Sequence, residues 1–479
     1  MPTHQTALLW FRRDLRLTDN PALTQALAEA HTVIPVYLHA PEEEAPWAPG
    51  AASRWWLHFS LKALERDLKR IGSRLVARRG PSLDALKTLL RETGATLVAW
   101  NRLYEPPLRE RDQAVEEALQ EESVEVTTHN AALFVEPWEI QTQQHTPFRV
   151  FTPFWRACRT RLGAEVPKAA PAHMPKVVAK IPSVDIDDLD LLPAVDWAHG
   201  IRNAWTPGEK GALENLASFS ERVADYVTGR DRLAAPSTSR LSPHLHFGEL
   251  SPRQILATLH ETAGGRAEAF VRELGWREFA HHLLYHFPHT ADEPLDERFR
   301  FYPWQHATKD LHAWQRGRTG IPLVDAGMRE LWHTGWMHNR VRMVVASFLT
   351  KNLRIAWQEG TRWFWDTLVD ADLANNTLGW QWTAGCGADA APYFRVFNPV
   401  LQAEKFDPQG AYVRHWVPEL AQLPDKWLNE PWHAPAAVLD EAGVELGRTY
   451  PRPIVDLKSS RENALEGYKS LQSTVRGRH

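Results

Sequence analysis

The 479-residue chain has little cysteine: two residues, Cys158 and Cys386. Two thiols build neither a disulfide framework nor a cysteine-rich zinc site, and such sparing use fits a reducing, cytoplasmic compartment. Long hydrophobic runs are missing as well. Stretches such as Met343–Leu349 fall far short of the roughly 20 residues a membrane helix needs, and Ala7–Phe11 runs straight into Arg12 and Arg13, unlike a secretion signal. Nor is there an excess of positive charge. Lysine and arginine number 55 against 59 acidic residues, a net charge of −4, so any nucleic-acid contact must come from a local patch. No GxGxxG follows the first apolar run, where the sequence reads WFRRDLRLTDNPAL over 10–23, and the stretch 208–211 does not complete a phosphate-binding loop. HExxH spacing is absent around His281, His282, His286 and His289, so that run reads as packing at one helix end, and no metal is expected.

What is present is abundant tryptophan, 22 residues, ten of them between 270 and 382. Indoles build core more often than they carry chemistry, so the clustering first predicts a densely packed C-terminal half.

In the first 130 residues short apolar runs alternate with amphipathic stretches. Ala7–Phe11, Thr32–Leu38, Arg74–Ala77, Thr96–Trp100 and Val124–Thr128 read as strands; Ser53–Ile71, Ser82–Thr93 and Pro107–Gln120 read as helices. That alternation predicts a Rossmann-like parallel α/β domain over 1–135. From about 160 to 210 six prolines and the acidic stretch Asp185–Asp190 break any periodicity, predicting an interdomain linker over 136–205. Beyond it, over 206–479, nearly everything reads as helix, with Ser-Pro start signals at 242–243 and 251–252.

Four segments combine residue types that do chemistry. TSRLSP (238–243) places three hydroxyls and Arg240 before a helix start, where they suit phosphate oxygens; Ser242 reads equally as a plain N-cap. GWMHNRVRM (335–343) puts Asn339, Arg342 and Met343 on one helical face with Arg340 alongside, a face suited to a polyanion bearing flat rings, or else a solvated basic face over a core methionine. ELGWREF (273–279) aligns Glu273, Trp276 and Arg277, which reads as an acid, a stacking plane and a cation, or as an ordinary i,i+4 ion pair beside a core tryptophan. In DADLANNTLGWQW (370–382), Asp370 and Asp372 fit a loop, Asn376 and Trp380 share a face, and Trp380 and Trp382 point apart, one inward and one towards a cavity.

The order and spacing of TSRLSP, GWMHNRVRM, DADLANN, GWQW and APYFRVFNP across residues 7–407 resemble the photolyase/cryptochrome family. The resemblance implies an N-terminal α/β domain with an antenna chromophore and a C-terminal all-helical domain holding FAD. By position, FAD is expected against Tyr226, Thr238, Ser239, Arg240, Leu241, Ser242, Arg277, Trp336, Asn339, Arg342, Asp370 and Asp372, with Asn376 facing flavin N5. Trp304, Trp357 and Trp380 match the electron-carrying tryptophan chain. Glu273, Trp276, Arg340, Met343 and Trp382 fill the lesion-side positions of cyclobutane pyrimidine dimer photolyases, whereas the (6-4) branch carries histidines where this chain reads HN at 338–339. Phe270 stands where relatives often carry a tryptophan. As a hydrogen-bond donor to the lesion, Glu273 must be protonated, which burial favours. NRLYEP (101–106) resembles the antenna pocket, with Glu105 as its candidate residue and either 5,10-methenyltetrahydrofolate or 8-hydroxy-5-deazaflavin as occupant. The implied activity is light-driven repair of UV-damaged DNA, single- or double-stranded, by a monomer; a blue-light signalling cryptochrome and a (6-4) photolyase are the alternatives.

Overall fold

In the computed structural model, which describes residues 2–163, 166–177, 180–390 and 394–476, five strands form one parallel sheet. They are β1 (His4–Phe11), β2 (Ala30–His39), β3 (Val76–Arg79), β4 (Leu97–Asn101) and β5 (Glu125–His129), in the order β3-β2-β1-β4-β5. Residues Ala7 to Phe11 of β1 are all at most 1% exposed, because both faces of the sheet are covered. Leu8, Trp10, Ile34, Val36, Val98 and Trp100 pack with residues of helices Ser82–Thr93 and Pro106–Glu121. Alternate positions, Ala7, Leu9, Phe11, Val33, Tyr37, Leu97 and Ala99, pack with helix Ala51–Arg70. Doubly buried strands need apolar residues at every position, which is why they read as unbroken runs.

The segment predicted as a linker is more ordered than its prolines suggest. It contains helices Phe151–Arg159 and His199–Ala204, and Met174, Ile186, Leu189, Leu191, Ala198 and Ile201 join the core beneath helix Ala51–Arg70. Proline blocks regular hydrogen bonding without preventing apolar side chains from being buried.

The rest of the described chain is helical, apart from one isolated bridge between Leu446 and Tyr450. Among the described residues no helix is long and apolar enough to cross a membrane. The stretch after β1 joins the two halves. Leu15 N donates to Phe247 O (3.1 Å), Arg16 Nη1 to Gly248 O (2.8 Å), and Ser251 Oγ to Asp19 Oδ2 (2.6 Å). Gly248 has a φ of +62° and a Cβ there would lie 2.1 Å from Arg13 O, so this approach requires glycine. Glu249, fully buried, accepts from Trp56 Nε1 (2.9 Å) and Gly208 N (2.7 Å) and pairs with His244 Nδ1 (2.5 Å), closing the seam.

Candidate functional site

Asp370 organises one end of the site. Arg342 Nη2 donates to both of its carboxylate oxygens (2.9 and 3.1 Å), and Ser242 Oγ donates to Oδ2 (2.6 Å). Ser242 is therefore not an N-cap: it is the first residue of helix Ser242–His246, and its hydroxyl is committed to a carboxylate 128 residues away. Arg240, at a φ of +54°, lies over Trp205 (4.2 Å) and Trp336 (5.0 Å), and Arg342 approaches the same Trp336 ring at 5.9 Å. Arg240 Nη2 is buried without a hydrogen-bond partner. Buried donors are rarely orphaned, so this one points to a missing acceptor. Leu241 anchors the loop at 1% exposure; Thr238 and Ser239 are half-buried, and Asn339 is exposed at the first turn of helix Asn339–Ser347.

Asp372 caps helix Leu373–Ala384, accepting from Asn375 N (2.9 Å) and Asn375 Nδ2 (2.6 Å). Burial alone would raise its carboxyl, but His281 and His246, each 3.6 Å away, and Arg277 hold it well below the usual carboxylate range. On the helix it caps, Asn376 Nδ2 donates to Thr361 O (3.1 Å), which leaves Oδ1 without an intramolecular partner. Gly379, one turn on, is exposed, and a Cβ there would meet open space. The accessible residues of this helix, Asn375, Asn376, Leu378, Gly379 and Trp382, lie along its length away from the Asp370 cluster. Guanidinium donors and hydroxyls at one end, with an amide and a bare glycine along the helix, fit the phosphates and the flat ring of FAD.

Two expected cofactor contacts sit further out. Arg277 Nη1 donates to Ala132 O (2.7 Å), so it braces the loop after β5 while its charge reaches Asp372. Tyr226 is 8% exposed in an aromatic cluster with Phe219 (5.8 Å) and Phe270 (5.3 Å). Phe270 contributes packing at that position. The histidine run packs as expected: His282 Nε2 accepts from Phe148 N (3.0 Å), and His286 Nε2 meets Pro137 O (3.1 Å).

Trp380 is 2% exposed, with Phe364 at 5.0 Å and Trp314 at 6.2 Å. A Cβ on Gly360 would lie 2.0 Å from the Trp380 ring, so that glycine lets helices Trp357–Thr367 and Leu373–Ala384 close on each other. Trp357 is buried, and Trp304, against Tyr302 at 4.5 Å, is half-buried. Trp357 and Trp380 thus both lie in the core, and Trp304 lies nearer the surface. Trp314, fully buried and donating to Val345 O (3.0 Å), packs edge-on against Trp380; along the sequence it is marked only by its spacing of ten from Trp304.

The lesion-side residues come from three helices. Glu273 and Arg340 are drawn to one turn, because Arg230 Nη1 pairs with Glu273 (2.5 Å) and the next residue, Asp231, pairs with Arg340 Nη2 (2.8 Å). This replaces the Glu273–Arg277 pair that spacing allows. It also leaves Glu273, part-exposed and ion-paired, as an acceptor in this structure rather than a buried acid. Met343 Sδ lies 4.0 Å from Arg340 Nη1. Trp276 stacks on Phe151, centroids 3.7 Å apart and planes 8° apart, so one face of its indole is covered. Trp382 Nε1 donates to Asp389 O (3.1 Å), and the Asp389 carboxylate accepts from Phe151 N, which ties Trp382 to the Trp276 side. Ala391, Pro392 and Tyr393 of the APYFRVFNP motif lie outside the described residues.

A second cavity, about 580 Å³, sits at the carboxyl ends of β1 and β2, beside the reversal of strand order where open α/β sheets bind ligands. Trp10, Arg12, Arg13 and Arg111 line it from the sheet side, and His246 and Trp365 from the helical side. Glu105 stands behind this wall, paired with Arg13, whose other nitrogen pairs with Glu44 (2.6 Å). Burial would raise the Glu105 carboxyl, but Arg13 holds it down. Sequence reasoning missed Arg12, Arg13 and Arg111 as cavity-lining residues, since nothing in RRD at 12–14 marks either arginine as turned inward.

The family model described as the FAD binding domain of DNA photolyase matches residues 270–470, and the one described as DNA photolyase matches 7–174. The chain is 46% identical to the deoxyribodipyrimidine photo-lyase of Agrobacterium fabrum, covering 98% of both chains. It is 41% identical to Cryptochrome-2 of Arabidopsis thaliana, over 96% of this chain and 78% of that protein. A class III photolyase structure from Agrobacterium tumefaciens superposes with a TM-score of 0.93 at 45% identity, covering 98% of each chain. With the Asp370 cradle, the indole series and the lesion-side residues in place, these likenesses lead to one conclusion: the chain belongs to the photolyase/cryptochrome family.

Proposed function

We infer that the protein is a deoxyribodipyrimidine photo-lyase that repairs cyclobutane pyrimidine dimers in UV-damaged DNA. The observation that carries this reading is the tied arrangement of Glu273, Trp276, Arg340, Met343 and Trp382 beside the accessible residues of helix Leu373–Ala384. A receptor that only signals has no need of a charged and aromatic pocket of this composition. FAD, held in its reduced form by the cradle residues, would supply under blue light the electron chemistry that opens the cyclobutane ring.

The chain's own residues do the rest. Arg240, Arg342, Ser242 and Asp370 hold the cofactor's polar groups, and Asn376 presents a neutral amide to its ring. A dimer stacks poorly in the duplex, so flipping it out costs less than flipping a normal base. Trp276 and Trp382 offer it planes, and Met343 would pack between the dimer ring and the flavin. Arg340 exchanges Asp231 for a backbone phosphate, a trade favoured by the double charge assistance of a guanidinium–phosphate pair. Glu273 hydrogen-bonds the base edges; to donate, it must take up a proton and release Arg230. Trp304, Trp357 and Trp380 recharge the resting flavin from the surface.

The division into an α/β domain at 1–135, a connecting segment at 136–205 and a helical domain at 206–479 is our assignment. We place the antenna chromophore in the 580 Å³ cavity, where Trp10 and Trp365 suit a flat ligand. The absorption spectrum of the purified protein separates 5,10-methenyltetrahydrofolate from 8-hydroxy-5-deazaflavin. A monomer in the cytoplasm is the working form, in keeping with two buried, unpaired cysteines.

The test is repair of an oligonucleotide bearing one thymine dimer, in blue light and in darkness, with a (6-4) lesion in parallel. Light-dependent repair of the dimer alone is expected. Flavin binding without repair of either lesion would move the protein to the signalling branch.

A further inference from the structure

The stretch GMRELWHT over 327–334, which ends helix Pro322–Thr334, contains a carboxylate that the repair reaction as described does not use. Glu330 is buried, and a buried charge has to be met by partners. Its Oε2 accepts from the Tyr412 hydroxyl (2.6 Å) and from His338 N (3.3 Å). Both donors are themselves fixed. Tyr412 is buried on helix Ala411–Trp416, where Tyr412 N and Val413 N donate to the Asp407 carboxylate (3.0 and 2.9 Å). His338 precedes helix Asn339–Ser347, and its Nδ1 accepts from Arg340 N (3.1 Å).

The same helix end fixes the two planes on which Arg240 lies: Trp205 Nε1 donates to Thr334 O (2.8 Å), and Trp336 N donates to Thr334 Oγ1 (3.2 Å). Burial pulls the Arg240 guanidinium down, and the charges that hold it up are Glu330 first and Asp370 second. Asp370 is already committed, with Arg342 on both oxygens and Ser242 on one. Glu330 is therefore the counter-charge left to Arg240, and it acts through charge, with no hydrogen bond between the two. Arg240 Nη2 stays unpartnered beside it. A guanidinium in direct contact with a carboxylate forms a strong, often bidentate pair that an incoming phosphate has to break. A carboxylate held back offsets the burial of the guanidinium without that competition.

We propose that Glu330 is a positioning residue of the flavin cradle: the Tyr412 hydroxyl and His338 N pin its carboxylate where it neutralises Arg240 without pairing with it, which keeps Nη2 free for an oxygen of the cofactor's pyrophosphate. The proposal rests on the placement of the cofactor's polar groups at Arg240 given above. Tyr412 thereby influences flavin binding through two intermediaries, Glu330 and Arg240. Without its hydroxyl the carboxylate is free to turn onto the guanidinium and capture the donor that the flavin needs.

The test follows release of FAD from the holoenzyme, read as the rise in flavin fluorescence after dilution, for the unmodified protein, Tyr412→Phe, Glu330→Gln and the double variant. Tyr412→Phe keeps the ring and removes the hydroxyl. It should release flavin about tenfold faster, the worth of one charge-assisted hydrogen bond. Glu330→Gln has no charge with which to capture Arg240, so alone it should not speed release. Added to Tyr412→Phe, it should bring the rate back to within about twofold of the unmodified protein. Loosened packing from the lost hydroxyl would persist in the double variant, so this rescue separates positioning from packing. Release from Tyr412→Phe at the unmodified rate, or acceleration that survives in the double variant, overturns the proposal. Arg240→Gln tests the placement beneath it. Faster release from that variant, with no response to Tyr412→Phe, rejects the role of Glu330 alone; unaltered release takes the pyrophosphate away from Arg240 and the proposal with it.

Discussion

The two ligand-sized regions of this molecule handle charge in opposite ways. In the α/β cavity the arginines are already neutralised: Arg13 by Glu44 and Glu105, Arg12 by Asp112 at 2.5 Å, Arg111 by Asp112 at 2.7 Å. In the helical site the polar groups are only half served among the described residues: Arg240 Nη2 is orphaned, and Asn376 uses one side of its amide. A pocket that satisfies itself survives without its occupant, whereas one that does not depends on it. The α/β cavity should therefore exchange its chromophore freely, and the helical site should hold flavin as part of its structure.

The strongest challenge to that contrast is Arg342→Ala. It strips the Asp370 carboxylate, only 4% exposed, of its guanidinium, and breaking a buried pair costs about 3–5 kcal/mol. The purified variant should be colourless and less stable, as judged by its visible spectrum and thermal unfolding; stoichiometric flavin would contradict the dependence argued here. Acid should act with comparable force. Burial depresses His282 to about 3 and His338 to about 4, so the fold keeps both neutral while the unfolded chain protonates near 6.5. Their contribution is intact above 6.5 and drains away as pH falls towards 4, a loss of a few kcal/mol readable in denaturant titrations at pH 7, 5.5 and 4.5. A midpoint that stays flat across that window would show these histidines to be hydrated.

Glu273→Ala separates cofactor from lesion. It removes one hydrogen bond to a charged group, about 1.5–3 kcal/mol, so repair yield should drop at least roughly tenfold while flavin content stays the same. Full repair by the variant removes Glu273 from the lesion pocket. Trp304→Phe should slow photoreduction of the oxidised flavin yet leave repair by chemically reduced enzyme in place, because only recharging needs the surface indole; unchanged photoreduction assigns that route to other indoles, Trp314 among them. The smallest effect belongs to the self-satisfied pocket. Arg13→Ala should lose antenna absorbance and antenna-sensitised repair with flavin content maintained, and flavin loss in this variant would erase the contrast between the two regions.

Much of this was legible along the chain. Helix Ser82–Thr93 occupies its predicted residues, and the five strands lie within a few residues of their predicted spans; β1, β2 and β4, buried on both faces, write that burial into sequence as apolar runs, whereas the edge strand β5 (EVTTH) does not. The lesion-side and cofactor-side assignments were drawn from motif spacing and remain proposals. The partners of those residues were not legible there: Ser242 binds Asp370, Glu273 binds Arg230, and Trp314 meets Trp380 across 128, 43 and 66 positions. The prolines of the connecting segment hid residues that join the core, because periodicity reports regular backbone and not burial.

Local pattern thus determined the elements, the parallel α/β half, the helical half and the residue types available for chemistry, all of which depend on neighbours within a few positions. Tertiary structure alone decided that Arg12, Arg13 and Arg111 line the α/β cavity and which donors are left without acceptors. Those are consequences of long-range contact, where pairing or its absence is set by what another helix happens to bring within 3 Å, and no sequence window contains both partners.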